Sequence, residues 1–114
     1  MNQIVLVGRI TKDPEINEAE NGKKVTSITL AVQRPFKNID GLYEADFIRC
    51  VLFNVIAENT CEYCHTGDIV GIKGRLQTSS YQDQDGNTKY SMEVIAERVT
   101  FLSSKKEIIS SEEK

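Results

Sequence analysis

The stretch from Glu44 to Phe53, Glu-Ala-Asp-Phe-Ile-Arg-Cys-Val-Leu-Phe, constrains the chain more than any other. It is rich in aromatic and β-branched residues and holds neither Gly nor Pro, so it reads as a central β-strand. Side chains alternate between the two faces of a strand. Ile48, Cys50 and Leu52 therefore share one face, which suits a core, while Phe47, Arg49, Val51 and Phe53 share the other. Two rings and a guanidinium on one surface offer π-faces for stacking and a cation for an anionic group. The competing reading packs both Phe beneath a helix and lets Arg49 snorkel to water.

The rest of the chain supplies partners for this strand. Residues Ile4 to Ile10 read as a first strand, with Gly8 permitting a bulge or a close backbone approach. Thr11 to Lys24, with its Asp-Pro and Asn-Gly pairs, reads as a loop or ragged hairpin connection. Val25 to Arg34 alternates, placing Ile28, Leu30 and Val32 inward and Ser27, Thr29, Ala31 and Gln33 outward. Pro35 is expected to end that strand, and Phe36 to Gly41 to form a hairpin tip with Asp-Gly turn chemistry. Val55 to Cys64 is the plausible helix, capped by Asn54 and closed by Gly67. Its stripe of Ile56, Thr60, Tyr63 and Cys64 would plug the end of a small barrel.

Asp68 to Tyr81 forms a long predicted strand with Val70, Ile72, Gly74 and Leu76 on one face. Lys73, Arg75, Gln77, Ser79 and Tyr81 lie on the other. A turn at Asp83 to Asn87 returns the chain along Thr88 to Ala96, with a bulge expected at Glu97-Arg98 before Val99 to Leu102. Five strands with one helix between the third and fourth is the order of an all-β OB-fold, a five-stranded Greek-key barrel. That domain is expected over residues 1–103, with 104–114 as a short flexible polar tail.

Composition narrows the function classes. At 114 residues the chain has room for one domain with one modest core. No apolar run approaches the length of a membrane span, and the N-terminus lacks a secretory pattern, so a cytoplasmic location is expected, with no membrane partner. Three cysteines in such a chain read as thiols rather than a disulfide framework. Cys61-Glu62-Tyr63-Cys64-His65 matches the c-type haem attachment pattern, and its cysteines could serve zinc or redox chemistry. Zinc would need about four ligands; His65 is the one histidine, and Cys50 belongs to a different strand. No cofactor or metal is therefore expected. No nucleophile is paired with a base, so no catalytic residue is assigned and the chain is not expected to be an enzyme.

The aromatic residues are more informative. Phe36 is flanked by Arg34 and Lys37, Phe47 and Phe53 are in phase with Arg49, and Tyr81 is in phase with Lys73 and Arg75. Rings interleaved with cations on three separate segments fit a groove that stacks bases and neutralises phosphates. Arg9 on the first strand completes the candidate set. The net charge of −3 argues against binding through bulk charge, though one basic face on an acidic molecule remains compatible with it.

Across residues 1–102 the sequence resembles the bacterial single-stranded DNA-binding protein family. The resemblance is carried by Asn2 to Glu15 (Asn-Gln-Ile-Val-Leu-Val-Gly-Arg-Ile-Thr-Lys-Asp-Pro-Glu), Leu30-Ala31-Val32, Glu44 to Ile48, Ala57-Glu58-Asn59 and Gly74-Arg75-Leu76-Gln77-Thr78. It implies an OB-fold that assembles as a homotetramer and wraps single-stranded DNA without base specificity, as a nucleoid-associated protein of replication, recombination and repair. Phe36, Phe47, Phe53 and Tyr81 fall where that family carries its stacking aromatics. Ser79 and Thr66 stand where many relatives carry Arg or Lys, Asn54-Val55 also lacks a cation, and no Trp is present. Weaker or less salt-dependent binding is the expectation. The chain closes on Ser110-Ser111-Glu112-Glu113-Lys114 in place of the family's acidic Pro-Phe tip, which argues against tail-mediated recruitment of replication or repair enzymes. The alternative reading is an OB-fold, primosome-type accessory factor that mainly contacts proteins and binds DNA weakly.

Overall fold

Strand alternation becomes one continuous sheet in the computed structural model, which describes residues 1–103. The polar tail expected over 104–114 lies outside the described residues. The elements are β1 (Ile4–Ile10), β2 (Asn17–Glu18), β3 (Lys24–Lys37), β4 (Tyr43–Phe53), α1 (Asn54–Tyr63), β5 (Ile69–Gln82) and β6 (Thr88–Ser103). The sheet runs β1-β5-β6-β4-β3-β2, and a further pairing of β1 with β3 joins its two sides. Arg9 stands opposite Ala31 and Ile10 opposite Leu30 at that closure. Setting aside the short β2, the result is a closed five-stranded barrel with one helix, the OB-fold architecture expected. β4 meets β6 in parallel, Cys50 beside Val94, and the other pairings are antiparallel.

The inward positions fill the barrel. Ile10, Ile28, Leu30, Cys50, Leu52, Val70, Ile72 and Val94 are buried together. Burial pushes the Cys50 thiol up to about 12, where it stays protonated. Gly8 is the close approach anticipated on β1: a Cβ there would lie 2.7 Å from the Ala31 carbonyl oxygen. The anticipated bulge in β6 is also present, since Lys73 pairs with Arg98 while Gly74 pairs with Ala96, leaving Glu97 between them.

Three local expectations are corrected. β3 does not stop at Pro35 but continues to Lys37. The β3–β4 register shifts between Gln33 and Lys37, and Pro35 sits in that irregular stretch, where its missing N–H breaks no ladder. Asn54 does not cap α1. Phe53 is the cap residue, and Asn54 takes a left-handed φ of 55° as strand passes into helix without a loop. Asparagine tolerates that conformation better than most residues. On the helix, Ala57, Thr60 and Cys64 are buried, at the i, i+3, i+7 spacing of one stripe, whereas Tyr63 is exposed. Its ring instead lies 6.1 Å from that of Phe101 on β6.

A turn after the helix ties it to the first loop. The His65 N–H donates to Asp68 Oδ2 at 2.8 Å, and the Asp68 N–H returns to the His65 carbonyl at 3.0 Å. Gly67, with φ of 93°, supplies the left-handed residue that this turn needs. Asp13 Oδ1 accepts both the backbone N–H and the hydroxyl of Thr66, each at 2.7 Å.

Candidate nucleic-acid interface

The β3–β4 register sets Ala31 opposite Phe47, Thr29 opposite Arg49, Ser27 opposite Val51 and Val25 opposite Phe53. Because residues paired across strands share a face, these eight form part of the barrel's outer surface. The face continues through β6 to β5. Val51 lies beside Ile95, which pairs with Arg75; Glu93 pairs with Gln77, Ser91 with Ser79, and Lys89 with Tyr81. One curved surface therefore carries Phe47, Arg49, Phe53, Arg75 and Tyr81. In the OB-fold this outer face of the second and third barrel strands, here β3 and β4, is the usual oligonucleotide platform.

Exposure separates the two readings of the rings. Phe47 is 69% exposed, Phe36 63% and Tyr81 58%. Phe47 therefore does not pack beneath a helix; α1 sits at the end of the barrel against β3, β4 and β6. Exposing so much apolar ring is unfavourable unless something covers it. Phe53 is half-buried, and Lys23 from the first loop holds its ammonium 5.8 Å from the ring centroid. Lys37 stands 5.7 Å from the ring of Tyr43, its cross-strand partner.

The cations are partnered unequally. Arg49 Nε approaches Glu93 Oε2 at 3.9 Å. Arg75 donates to the Gln77 side chain at 2.9 Å, a neutral partner that does not offset its charge. Arg9 donates to the Gly67 carbonyl at 2.8 Å, bracing the turn after α1. Lys73 lies beyond the β6 bulge, between Val5 of β1 and Arg98 of β6. Arg34 donates to both Asp46 and Glu44. Asp46 precedes Phe47 directly, so this cluster lies on the opposite face of the hairpin arm. The structure thus gathers Phe47, Phe53, Arg49, Arg75 and Tyr81, sets Arg9 on the same face opposite Ala31 but turned to the Gly67 carbonyl, places Phe36 and Lys37 on the adjoining hairpin, and sets Lys73 and Arg34 apart.

Two features escaped the sequence reading. Lys23 belongs to an irregular loop, whose reach over Phe53 no strand periodicity encodes. The carboxylates Glu44, Asp46 and Glu93 were legible as residues, but their pairing with arginines depends on cross-strand register. The motif Cys61 to His65 is split by burial, with Cys64 buried, Cys61 half-buried and His65 exposed. Among the described residues no group of three or more His, Cys, Asp or Glu could hold a metal ion. No helix among them is long and apolar enough to cross a membrane.

A family model described as the single-strand binding protein family matches residues 1–102. Single-stranded DNA-binding protein B of Bacillus subtilis (strain 168) is 47% identical over 104 residues, 91% of this chain and 92% of that protein. Single-stranded DNA-binding protein 3 of Listeria innocua is 50% identical over 105 residues, 92% of this chain and 66% of that one. The single-stranded DNA-binding protein of Bacillus cereus is 50% identical over 102 residues, 90% of this chain and 60% of its own length. The chain thus spans nearly all of the first relative and less than two thirds of the other two. These relatives do not favour the accessory-factor reading.

Proposed function

The chain belongs to the single-strand binding protein family, and on that premise we propose that it binds single-stranded DNA without regard to sequence. It coats and protects exposed strands during replication, recombination, repair or DNA uptake. Stacking is assigned to Phe36, Phe47, Phe53 and Tyr81, and phosphate neutralisation to Lys37, Arg49 and Arg75. Arg9 and Lys73 extend the path around the barrel, and Arg34 contributes at the hairpin once released from its carboxylates. The observation that carries this reading is Phe47, 69% exposed at the middle of a sheet face beside Arg49. Every base has a π-face, so stacking there is indifferent to sequence.

Coating requires no reaction. A protein that binds the open strand and not the duplex shifts melting by mass action, so the chain acts as a non-catalytic binder. Its place is cytoplasmic, on the nucleoid. A homotetramer would form by pairing of two copies across β1 and packing of the resulting dimers: Ile4 to Gly8 pair with β5 on one side only, with Val5 and Val7 exposed. Such an edge invites pairing with a second copy. Anisotropy of labelled oligo-dT, oligo-dA and a duplex of equal length tests the binding. Both single strands are expected to bind and the duplex to bind far more weakly. Equal affinity for the duplex, or binding of one base only, would overturn the reading. Light scattering tests the assembly, and a monomeric mass at micromolar concentration would contradict it.

A further inference from the structure

We infer that Glu93 sets the affinity of the DNA-binding face by occupying the charge of Arg49. This inference rests on the single-strand-binding reading above and deepens it. Glu93 is a carboxylate on the outer face, flanked by Arg49 on β4 and paired across strands with Gln77 on β5. Its side chain is 23% exposed and that of Arg49 63%, so the anion is held in the surface while its partner reaches outward. Gln77 in turn takes the Arg75 hydrogen bond. A row of side chains thus crosses three strands, Arg49 to Glu93 to Gln77 to Arg75, with one negative charge between two guanidinium groups.

A strand crossing this row brings phosphates to a surface where Glu93 repels them and competes for Arg49. The pair is loose at 3.9 Å and its cation is well exposed, so a phosphate can displace it. Each crossing then exchanges one ionic partner for another, which lowers net affinity and favours rapid release. Removing the carboxylate leaves Arg49 without a competing anion, so a phosphate contact there contributes its full charge.

The test is oligo-dT titration of the full chain, wild type against Glu93→Gln, at several salt concentrations. The variant is expected to bind at least about threefold more tightly, with a salt slope steeper by up to about 0.7, the value of one phosphate contact on a single strand. The gain is expected to vanish in an Arg49→Gln background. Asp40→Asn removes an equal charge from an exposed hairpin position, and its effect is expected to be smaller. Should the amide variant fail to fold, Glu93→Ser removes the same charge. Unchanged or weaker binding in a folded Glu93 variant, or an equal gain from Asp40→Asn, would overturn the inference while wild-type binding stands. Absence of wild-type binding to oligo-dT would instead remove the functional reading, and this inference with it.

Discussion

Asp46 holds Arg34 through a single carboxylate oxygen, which accepts hydrogen bonds from Nε at 3.0 Å and Nη2 at 2.8 Å. Glu44 takes a third, from Nη1 at 3.0 Å. The hydrogen bonds hold the Asp46 carboxyl below its usual range and push the Arg34 guanidinium further up. Two carboxylates surround one cation behind the sheet face that carries Phe47. By contrast Arg49, on the Phe47 face, has one loose partner.

This contrast separates the two arginines by salt dependence. Arg49→Gln is expected to flatten the dependence of oligo-dT affinity on salt by only part of the about 0.7 in log-log slope that one full phosphate contact contributes, because Glu93 already offsets some of its charge. Arg34→Gln should change the slope much less, because its charge is already neutralised. Equal slope changes would place Arg34 on the phosphate path on the same footing as Arg49.

Phe47 faces the small side chain of Ala31 across the strands, so its ring is free to meet a ligand. Phe47→Ala is expected to weaken oligo-dT binding by about 1–3 kcal/mol. Its thermal midpoint should stay near wild type, because the ring contributes little to the core. Leu52→Ala is the reverse case: a fully buried side chain is lost, and folding stability should fall by about 2–5 kcal/mol. Chemical denaturation beside anisotropy distinguishes the two.

Closure of the barrel depends on Gly8. A methyl group there would meet the Ala31 carbonyl oxygen at 2.7 Å and the Val32 side chain at 3.1 Å. Gly8→Ala should therefore destabilise the fold by about 1–3 kcal/mol through overpacking. A denaturant midpoint equal to wild type would show that β1 and β3 can part without cost.

Acid should loosen the clasp between the first loop and the turn after α1. The Thr66 backbone N–H and hydroxyl hold the Asp13 carboxyl below its usual 3.8. A carboxyl depressed by folding contributes stability that is fully present above its unfolded value and is lost as pH falls through the folded one. The contribution should therefore be intact at neutral pH and disappear below 3.8. Asp13→Asn is expected to be less stable than wild type at neutral pH and to converge with it in strong acid. A stability difference that stays constant with pH would contradict this.

Much of the fold was legible because period-two alternation needs no long-range information. Ile28, Leu30, Cys50, Leu52, Val70 and Ile72 all point inward as their spacing requires. Where alternation ends, legibility ended too. Pro35 has the local habit of stopping strands, yet the register shift against β4 accommodates it. The residue type of Asn54 favours a cap, whereas the direct passage from strand to helix demands a left-handed residue there. At the interface, the phase of Phe47, Arg49 and Phe53 was visible along one strand. The partners of the cations were not, since Glu93 lies 44 residues from Arg49 in sequence and meets it only through the parallel β4–β6 pairing.

The most direct test of the central claim, that single-stranded DNA lies on the outer face of β3 and β4, is ultraviolet cross-linking of oligo-dT followed by peptide mapping. Cross-links are expected at Phe47 and at Phe36, Phe53 or Tyr81, and they should be lost in excess unlabelled oligo-dT. Cross-links confined to the Tyr63 and Phe101 side of the barrel, or to Val5 and Val7 on β1, would contradict the claim.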